Sequence, residues 1–294
     1  MTKEELKKLK PQHEFFIGID SDGCVFPSME LKHKECFIPN IIKYWKLQSI
    51  SKYAREAAEF VNLYSQWRGE NRFLALLRAF DLLRDRTEVR RGGAHIPEVP
   101  ALRSWVAKAT SLGNPTLKLE IDRNPEPDLI QTLKWSEAVN NTIADIVVDV
   151  PPFPGVREAL ERIVKTADII VVSGTPGEAL EREWAEHDIA KYVRIIAGQE
   201  LGKKKEHLGL AAEGKYPGEK MLMIGDAPGD MQAAKAVGAR FYPINPGAEE
   251  ESWDRLREEA LDRFFAGAYS GDYENNLIER FNRLLPETPP WKNL

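Results

Sequence analysis

The sequence predicts an α/β protein in which a doubly wound parallel sheet is interrupted by an all-helical module. Two observations support this fold class. Short, continuously apolar runs alternate with helical patterns at the start and in the second half of the chain, which is typical of parallel strands covered on both faces. Residues of about 40–145 instead carry apolar side chains at helical spacing. A chain of 294 residues is long enough for one large core or two smaller ones.

The first predicted strand, residues 15–19, ends in two aspartates and a glycine, Asp20, Asp22 and Gly23. Side chains alternate along a strand, so Asp20 and Asp22 point the same way while the strand continues. Gly23 then allows the backbone to turn away. Two carboxylates this close repel each other unless a cation or a proton balances them. Taken alone, the pair also fits an ordinary polar turn.

The helical module is predicted from apolar residues that recur at helical spacing. An aromatic stripe that includes Tyr44, Trp45 and Tyr64 is expected to form the core of this module. Further helices are expected over residues 73–83, 101–112 and 128–146.

The α/β pattern returns after a proline-rich joint at residues 149–155. Strands are expected at 168–172, 193–197, 221–225 and 240–244, and helices at 177–186, 203–213 and 230–237. An acidic helical pattern begins the tail at Glu249. We therefore expect residues 1–38 and 147–294 to form the α/β core with a C-terminal helical extension, and residues 39–146 to form the inserted helical domain.

Composition excludes several classes of partner and site. The formal net charge of −5 gives no basic surface for nucleic acid or anionic membranes. Cys24 and Cys36 lack the spacing of metal ligands and imply no disulfide framework, which fits a reducing compartment. The charged N-terminal segment does not resemble a signal peptide, and no window is long and apolar enough to span a membrane. These observations predict a cytoplasmic protein.

Three further polar segments follow predicted strands. They contain Ser173 with Gly174, the lysines 203–205 and the pair Asp226 and Asp230. Each has an ordinary explanation by itself, such as a helix cap or a solvated charge cluster. Ligands of open parallel sheets bind beyond the carboxyl ends of the strands, where these segments are expected to meet. Four carboxylates, a hydroxyl, an amide and a cation suit Mg²⁺ together with a phosphate.

These segments together resemble the four motifs of the haloacid dehalogenase-like (HAD) superfamily. The matching residues are Asp20-x-Asp22-Gly23, Ser173-Gly174-Thr175, a lysine among 203–205, and Gly225-Asp226-x-x-Gly229-Asp230. The large helical insert between the first two motifs is similar to the C1-type cap of that superfamily. The resemblance implies a Rossmann-like core and a Mg²⁺-dependent phosphatase that acts on a small phosphorylated metabolite.

The resemblance also implies roles for individual residues. Asp20 would be the nucleophile that forms an aspartyl-phosphate, and Asp22 the general acid and base. Mg²⁺ would bind Asp20, the main-chain carbonyl of Asp22, and Asp226, with Asp230 as a ligand or close by. Ser173 and the Gly174 amide would hold the phosphoryl group.

The motif lysine would offset the charge that develops in phosphoryl transfer. Lys204 is preferred, because an apolar residue four positions on, Leu208, matches the usual spacing of the family. Lys205 is the next choice, and Lys203 stays possible by position.

Substrate contacts within the cap are less explicit in the sequence. Arg68 and Arg72 would share one face if they lie on a helix, and beside Trp67 they could bind an anionic ligand. They could equally be solvated helix charges. Two other functions stay open: a phosphomutase of the same superfamily, and a non-catalytic protein that binds phosphorylated ligands. The oligomeric state cannot be read from the sequence.

Overall fold

The computed structural model describes residues 2–292 and contains five strands within that range. The strands are β1 (Phe15–Ile19), β2 (Ala167–Val172), β3 (Ile195–Ala197), β4 (Met221–Gly225) and β5 (Arg240–Pro243). The helices before β2 are α1 (Lys3–Lys7), α2 (Ser28–Leu31), α3 (Ile38–Tyr44), α4 (Ser51–Leu63), α5 (Arg72–Asp85), α6 (Thr87–Arg91), α7 (Pro100–Lys108), α8 (Asn114–Arg123), α9 (Pro127–Ile146) and α10 (Val156–Ile163). The later helices are α11 (Gly177–Glu186), α12 (Lys204–Ala212), α13 (Pro228–Ala236), α14 (Glu249–Arg255), α15 (Leu261–Phe265) and α16 (Asp272–Leu284).

The five strands form one parallel sheet in the order β3-β2-β1-β4-β5. The first strand of the chain is therefore the central strand of the sheet. Ile19 lies opposite Val171 of β2 on one side and Ile224 of β4 on the other. The carboxyl ends of these three strands consequently meet at one edge, where the polar segments begin.

Both faces of the sheet are covered. All residues of β1, β2 and β4 are buried. Ile17 and Ile19 pack in a cluster with Leu160 of α10, whereas Phe16 points the other way into a cluster with Leu208 of α12. This alternation places apolar side chains on both faces of the strand. The α/β fold class with a doubly wound parallel sheet is thus confirmed.

The chain folds into two compact units. The α/β unit consists of the chain up to Met29 and of Asp149–Pro286, and the helical unit consists of Glu30–Val148 and the described residues from Glu287 onward. The expected boundaries lay at 38/39 and 146/147. In the structure they lie at 29/30 and 148/149, and the end of the chain belongs to the helical unit.

The helical unit has an aromatic core of its own. Trp45 packs edge-on against Phe80 and Trp135, and all three rings are buried. Trp45 is thereby part of a core, as expected for the aromatic stripe, whereas Tyr44 and Tyr64 are only partly buried. Near the chain end, the ring of Trp291 lies 5.6 Å from that of Phe60.

The sequence misjudged two local elements. The helix expected over 101–112 ends at Lys108, and helix α8 follows at Asn114–Arg123, where none was expected. Pro115 explains this start, because proline fits the first turn of a helix. The strand expected at 193–197 begins only at Ile195.

Within residues 2–292, no helix has both the length and the apolar character needed to cross a membrane.

Candidate active site

Asp20 lies directly beyond the central strand. Its backbone N–H donates to the carbonyl of Ile224 at 2.9 Å, which continues the pairing with β4 by one residue. One carboxylate oxygen of Asp20 accepts a hydrogen bond from the N–H of Ser21 at 2.8 Å. The side chain is buried, with only 5% of the residue exposed. The strand pairing and the local hydrogen bond therefore fix this carboxylate at the edge of the sheet.

The loop after Asp20 turns tightly around one carbonyl. The N–H groups of Val25 and Phe26 donate to the carbonyl of Ser21 at 2.8 and 3.1 Å. Gly23 has φ of +78°, a left-handed conformation that favours glycine. Asp22 therefore lies in a turn and not on the strand that leads to Asp20.

Two buried tryptophans hold the same loop. The indole N–H of Trp184 on α11 donates to the hydroxyl oxygen of Ser21 at 3.0 Å. The indole N–H of Trp253 on α14 donates to the carbonyl of Cys24 at 2.8 Å. Both indoles are fully buried. The sequence did not indicate either contact, because each joins residues more than 150 positions apart.

Asp22 is held by two hydroxyl groups. Ser28 donates to one carboxylate oxygen of Asp22, and Thr175 donates to the other at 2.7 Å. Thr175 follows Ser173 and Gly174 after β2, so its hydrogen bond joins the first two polar segments. The sequence analysis assigned no role to Ser28 or Thr175.

Ser173 and Gly174 lie at the end of β2. The N–H of Ser173 donates to the carbonyl of Ala197 at 3.0 Å, and the Ser173 hydroxyl oxygen accepts from the N–H of Thr175 at 3.1 Å. Ser173 is buried, whereas Gly174 is exposed, and no atom lies within 4 Å of where its Cβ would be. An exposed backbone at this edge can be approached closely by a ligand.

Lys204 is the lysine of its segment that contacts the acidic residues. Its Nζ lies 2.7 Å from a carboxylate oxygen of Asp20 and 2.6 Å from one of Asp230. Lys203 and Lys205 are exposed. Lys204 begins α12, so its ammonium reaches back across the edge of the sheet to both carboxylates.

Three buried carboxylates form a cluster that could hold a metal ion. Asp20, Asp226 and Asp230 each offer an oxygen, and these oxygens lie within 4.8 Å of one another. Together with Lys204 they leave two negative charges, which one divalent cation would balance. Hard oxygen donors of this kind fit Mg²⁺. The carboxylate of Asp22 is not part of the cluster.

Asp230 is also fixed by its helix. It lies in the first turn of α13, where its carboxylate accepts a hydrogen bond from the N–H of Ala227 at 3.1 Å. Gly225 makes room for it, because a Cβ at that position would lie 2.4 Å from Cγ of Asp230. A glycine at the end of β4 thus permits Asp230 to approach the cluster.

The electrostatics of the cluster follow from burial. Burial raises the pKa of Asp20 to about 6; Lys204 opposes this shift and Asp226 adds to it. Burial likewise raises the pKa of Asp230 to about 6, against the effect of Lys204. Burial lowers the pKa of Lys204, but the carboxylates of Asp20 and Asp230 outweigh it and raise that pKa above its usual range. Lys204 is therefore charged at neutral pH, and the carboxylates gain from a further cation.

Arg68 and Arg72 do not share a helical face, so that expectation was wrong. Helix α4 ends at Leu63, and Arg68 lies in the turn that connects it to α5, where Gly69 has φ of +76°. Arg68 is buried and donates to the carbonyl of Leu63 at 2.9 Å. Arg72 is the first residue of α5 and is half-buried.

Comparison with protein families gave a match over somewhat less than half of the chain. A family model described as haloacid dehalogenase-like hydrolase matches residues 111–244. This range contains Ser173, Lys204, Asp226 and Asp230, whereas Asp20 lies before it. A comparison with curated proteins found no match.

Comparison with solved structures gave matches that include the following three. A haloacid dehalogenase-like hydrolase from Streptococcus pneumoniae is 13% identical with a TM-score of 0.45, over 81% of this chain and 90% of that one. A predicted phosphoglycolate phosphatase from Haemophilus somnus is 14% identical with a TM-score of 0.44, over 79% and 86%. A Thermotoga maritima protein, whose assignment as a β-phosphoglucomutase is itself a prediction, is 18% identical with a TM-score of 0.41, over 83% and 99%. Likenesses of this size carry no argument about the substrate.

Proposed function

We propose that this chain, whose residues 111–244 match a haloacid dehalogenase-like hydrolase family, is a Mg²⁺-dependent phosphatase of a small phosphorylated metabolite. The observation that carries the proposal is the arrangement around Asp20. One buried carboxylate at the end of the central strand lies beside two others and an ammonium. A second carboxylate, Asp22, is held separately by hydroxyl groups.

The phosphoryl group of the substrate would bind at the end of β2. The hydroxyl of Ser173 and the amide of Gly174 would donate to its oxygens, and Lys204 would offset its charge. An ammonium and fixed backbone donors in a site of low water content stabilise charge that develops during transfer.

Mg²⁺ would be held by Asp20, Asp226 and Asp230, together with the main-chain carbonyl of Asp22. When bound, the ion supplies positive charge next to the phosphoryl oxygens and so reduces the repulsion between substrate and carboxylates. Lys204 would keep the nucleophile ionised in the same way, because its ammonium lies 2.7 Å from Asp20.

The reaction would proceed in two transfers. In the first, a carboxylate oxygen of Asp20 bonds to phosphorus while the bond to the ester oxygen breaks, and protonated Asp22 gives its proton to that leaving oxygen. In the second, Asp22 takes a proton from water, the water oxygen bonds to phosphorus, and the bond to Asp20 breaks to release inorganic phosphate. Ser28 and Thr175 would hold Asp22 in position for both proton transfers.

The helical unit would act as the cap that determines substrate specificity, with residues 39–146 as its main part. It is inserted between the segment that carries Asp20 and the one that carries Ser173. Loops and inserted elements near a rigid sheet commonly carry specificity.

The test is release of phosphate from a panel of phosphate monoesters, sugar phosphates and nucleotides, with Mg²⁺ or with EDTA. The matched control is Asp20→Asn, which preserves size but removes the nucleophile. We expect release that requires both Mg²⁺ and Asp20. Full activity of the Asp20→Asn variant would contradict the proposed mechanism.

The same samples, followed by ³¹P NMR, separate the alternatives. Isomerisation of a sugar phosphate without net release would instead identify a phosphomutase. Ligand-induced thermal stabilisation without any turnover across the panel would favour a non-catalytic binding protein.

A further inference from the structure

Arg72 of the helical unit is anchored by neutral groups only. Its Nη1 donates to the carbonyl and the hydroxyl of Ser136 at 3.2 and 2.9 Å, and to the amide oxygen of Asn140 at 2.8 Å. Its guanidinium carbon lies 5.0 Å from the ring centre of Phe37. The guanidinium is therefore fixed in orientation between α9 and an aromatic ring.

The other edge of this guanidinium has no acceptor in residues 2–292. Nε and Nη2 are the pair that binds a carboxylate or phosphate through two parallel hydrogen bonds. No carboxylate of the described chain forms an ion pair with Arg72, and the residue is half-buried rather than sealed. An anion from solution can therefore reach this edge.

Arg78 on the same helix shows the arrangement with its anion in place. Its Nε and Nη2 donate to the two carboxylate oxygens of Glu70 at 2.6 and 3.0 Å. Its guanidinium carbon lies 4.8 Å from the ring centre of Trp67. Arg72 has the aromatic neighbour and additional anchoring, and differs in lacking the carboxylate.

The position of Arg72 makes its unpaired charge unfavourable. It is the first residue of α5, where the helix dipole disfavours cations. Burial also lowers its pKa to about 10, with no acidic group to oppose the shift. In contrast, the hydrogen bonds that Arg78 donates to Glu70 raise the pKa of Arg78. A bound anion would offset both the effect of the helix dipole and the effect of burial on the charge of Arg72.

We infer that the Nε–Nη2 edge of Arg72 is a binding site for an oxyanion of a small ligand, either a carboxylate or a phosphate group. The site belongs to the helical unit and does not depend on phosphatase activity. Its anchoring groups, Ser136 and Asn140, lie one helical turn apart on α9 and hold the guanidinium before the ligand arrives.

The test reads the Nε–Hε signal of Arg72 by NMR in the 294-residue protein without Mg²⁺. Arg72→Lys identifies the signal by its loss, and Arg78 serves as the internal control. Inorganic phosphate and malonate are titrated separately against sodium chloride of equal ionic strength. We expect a saturable shift at Arg72 with at least one of the two anions and none at Arg78.

In binding assays, Arg72→Lys should weaken the affinity for the anion roughly tenfold, since one of two charged hydrogen bonds is lost.

The titration is repeated with Lys204→Ala protein, which removes a cation of the proposed active site. An unchanged shift at Arg72 shows that the two sites bind anions independently. The inference is overturned by a flat Arg72 signal with both anions, by equal shifts at Arg78, or by loss of the shift in Lys204→Ala.

Discussion

Trp184 illustrates how a residue outside the proposed catalytic groups can position them. Its indole N–H bonds the hydroxyl of Ser21, which lies between Asp20 and Asp22 in the chain. We predict that Trp184→Phe lowers kcat by about tenfold and changes KM little, since small misplacements of reacting groups are costly. Steady-state kinetics on a substrate from the phosphate panel provide the measurement.

Trp253→Phe is the matched control for that variant. It removes an equivalent buried indole hydrogen bond, but to the carbonyl of Cys24, further from Asp20. Each variant should lose about 1 kcal/mol of stability. Equal losses of kcat in both would mean that general destabilisation, not positioning of the loop, explains the effect.

Individual residues show how much of the candidate site could be predicted from the sequence alone. Lys204 was preferred over its neighbours from the spacing to Leu208, and in the structure Lys204 contacts Asp20 and Asp230. The spacing of Arg68 and Arg72 was misleading, because α4 ends at Leu63 and leaves Arg68 in a turn before α5. Helical spacing predicts a shared face only where both residues lie on one helix, and the local pattern did not show that the helix ends before Arg68.

At the scale of elements, the turn from β4 into α13 depends on Gly225. An added Cβ there would lie within 2.5 Å of three atoms of Asp230. We predict that Gly225→Ala costs about 1–3 kcal/mol of unfolding free energy, as overpacking usually does, and weakens Mg²⁺ binding. Urea denaturation and calorimetric titration with Mg²⁺ measure the two effects.

Gly229→Ala provides the comparison within the same turn. A Cβ at this position would have no atom within 4 Å, and Gly229 lies inside α13. Alanine there should be neutral or stabilising by up to about 1 kcal/mol, because it favours helix. A stability loss as large as that of Gly225→Ala would contradict the steric explanation.

The elements themselves were largely readable from the chain. Continuous apolar runs predicted β1 and β4 with the bounds that the structure has. Strands that are buried on both faces are apolar at every position, so the apolar run and the strand begin and end together. The contacts of Trp184, Trp253 and Ser28 with the loop were not readable. They depend on how helices pack on the sheet, which no local pattern encodes.

At the scale of the whole molecule, we expect the carboxylate cluster to link stability to pH and, if it holds the proposed ion, to Mg²⁺. The pKa values of Asp20 and Asp230 are raised from an ordinary 3.8 to about 6. Without metal, their contribution to stability is therefore full below about pH 4 and is lost as pH rises through 6. Mg²⁺ needs the ionised forms, so its stabilising effect should grow from about pH 5 to about pH 7.5.

Thermal unfolding with and without Mg²⁺ at the two pH values measures this effect. At a hundred times the dissociation constant, a ligand adds about 2.7 kcal/mol. Asp226→Asn, which replaces one charged carboxylate of the proposed site with a neutral amide, should abolish most of the difference. A Mg²⁺ effect that is equal at both pH values, or unchanged in this variant, would place the ion elsewhere.

The central place of β1 also has a consequence for synthesis of the chain. Its partner β4 is translated roughly two hundred residues later, which at 5–20 residues per second is about 10–40 s. During that interval the apolar run Phe15–Ile19 lacks its partner on the β4 side. The surroundings of Asp20, whose backbone pairs with β4, therefore form only after most of the chain has been synthesised.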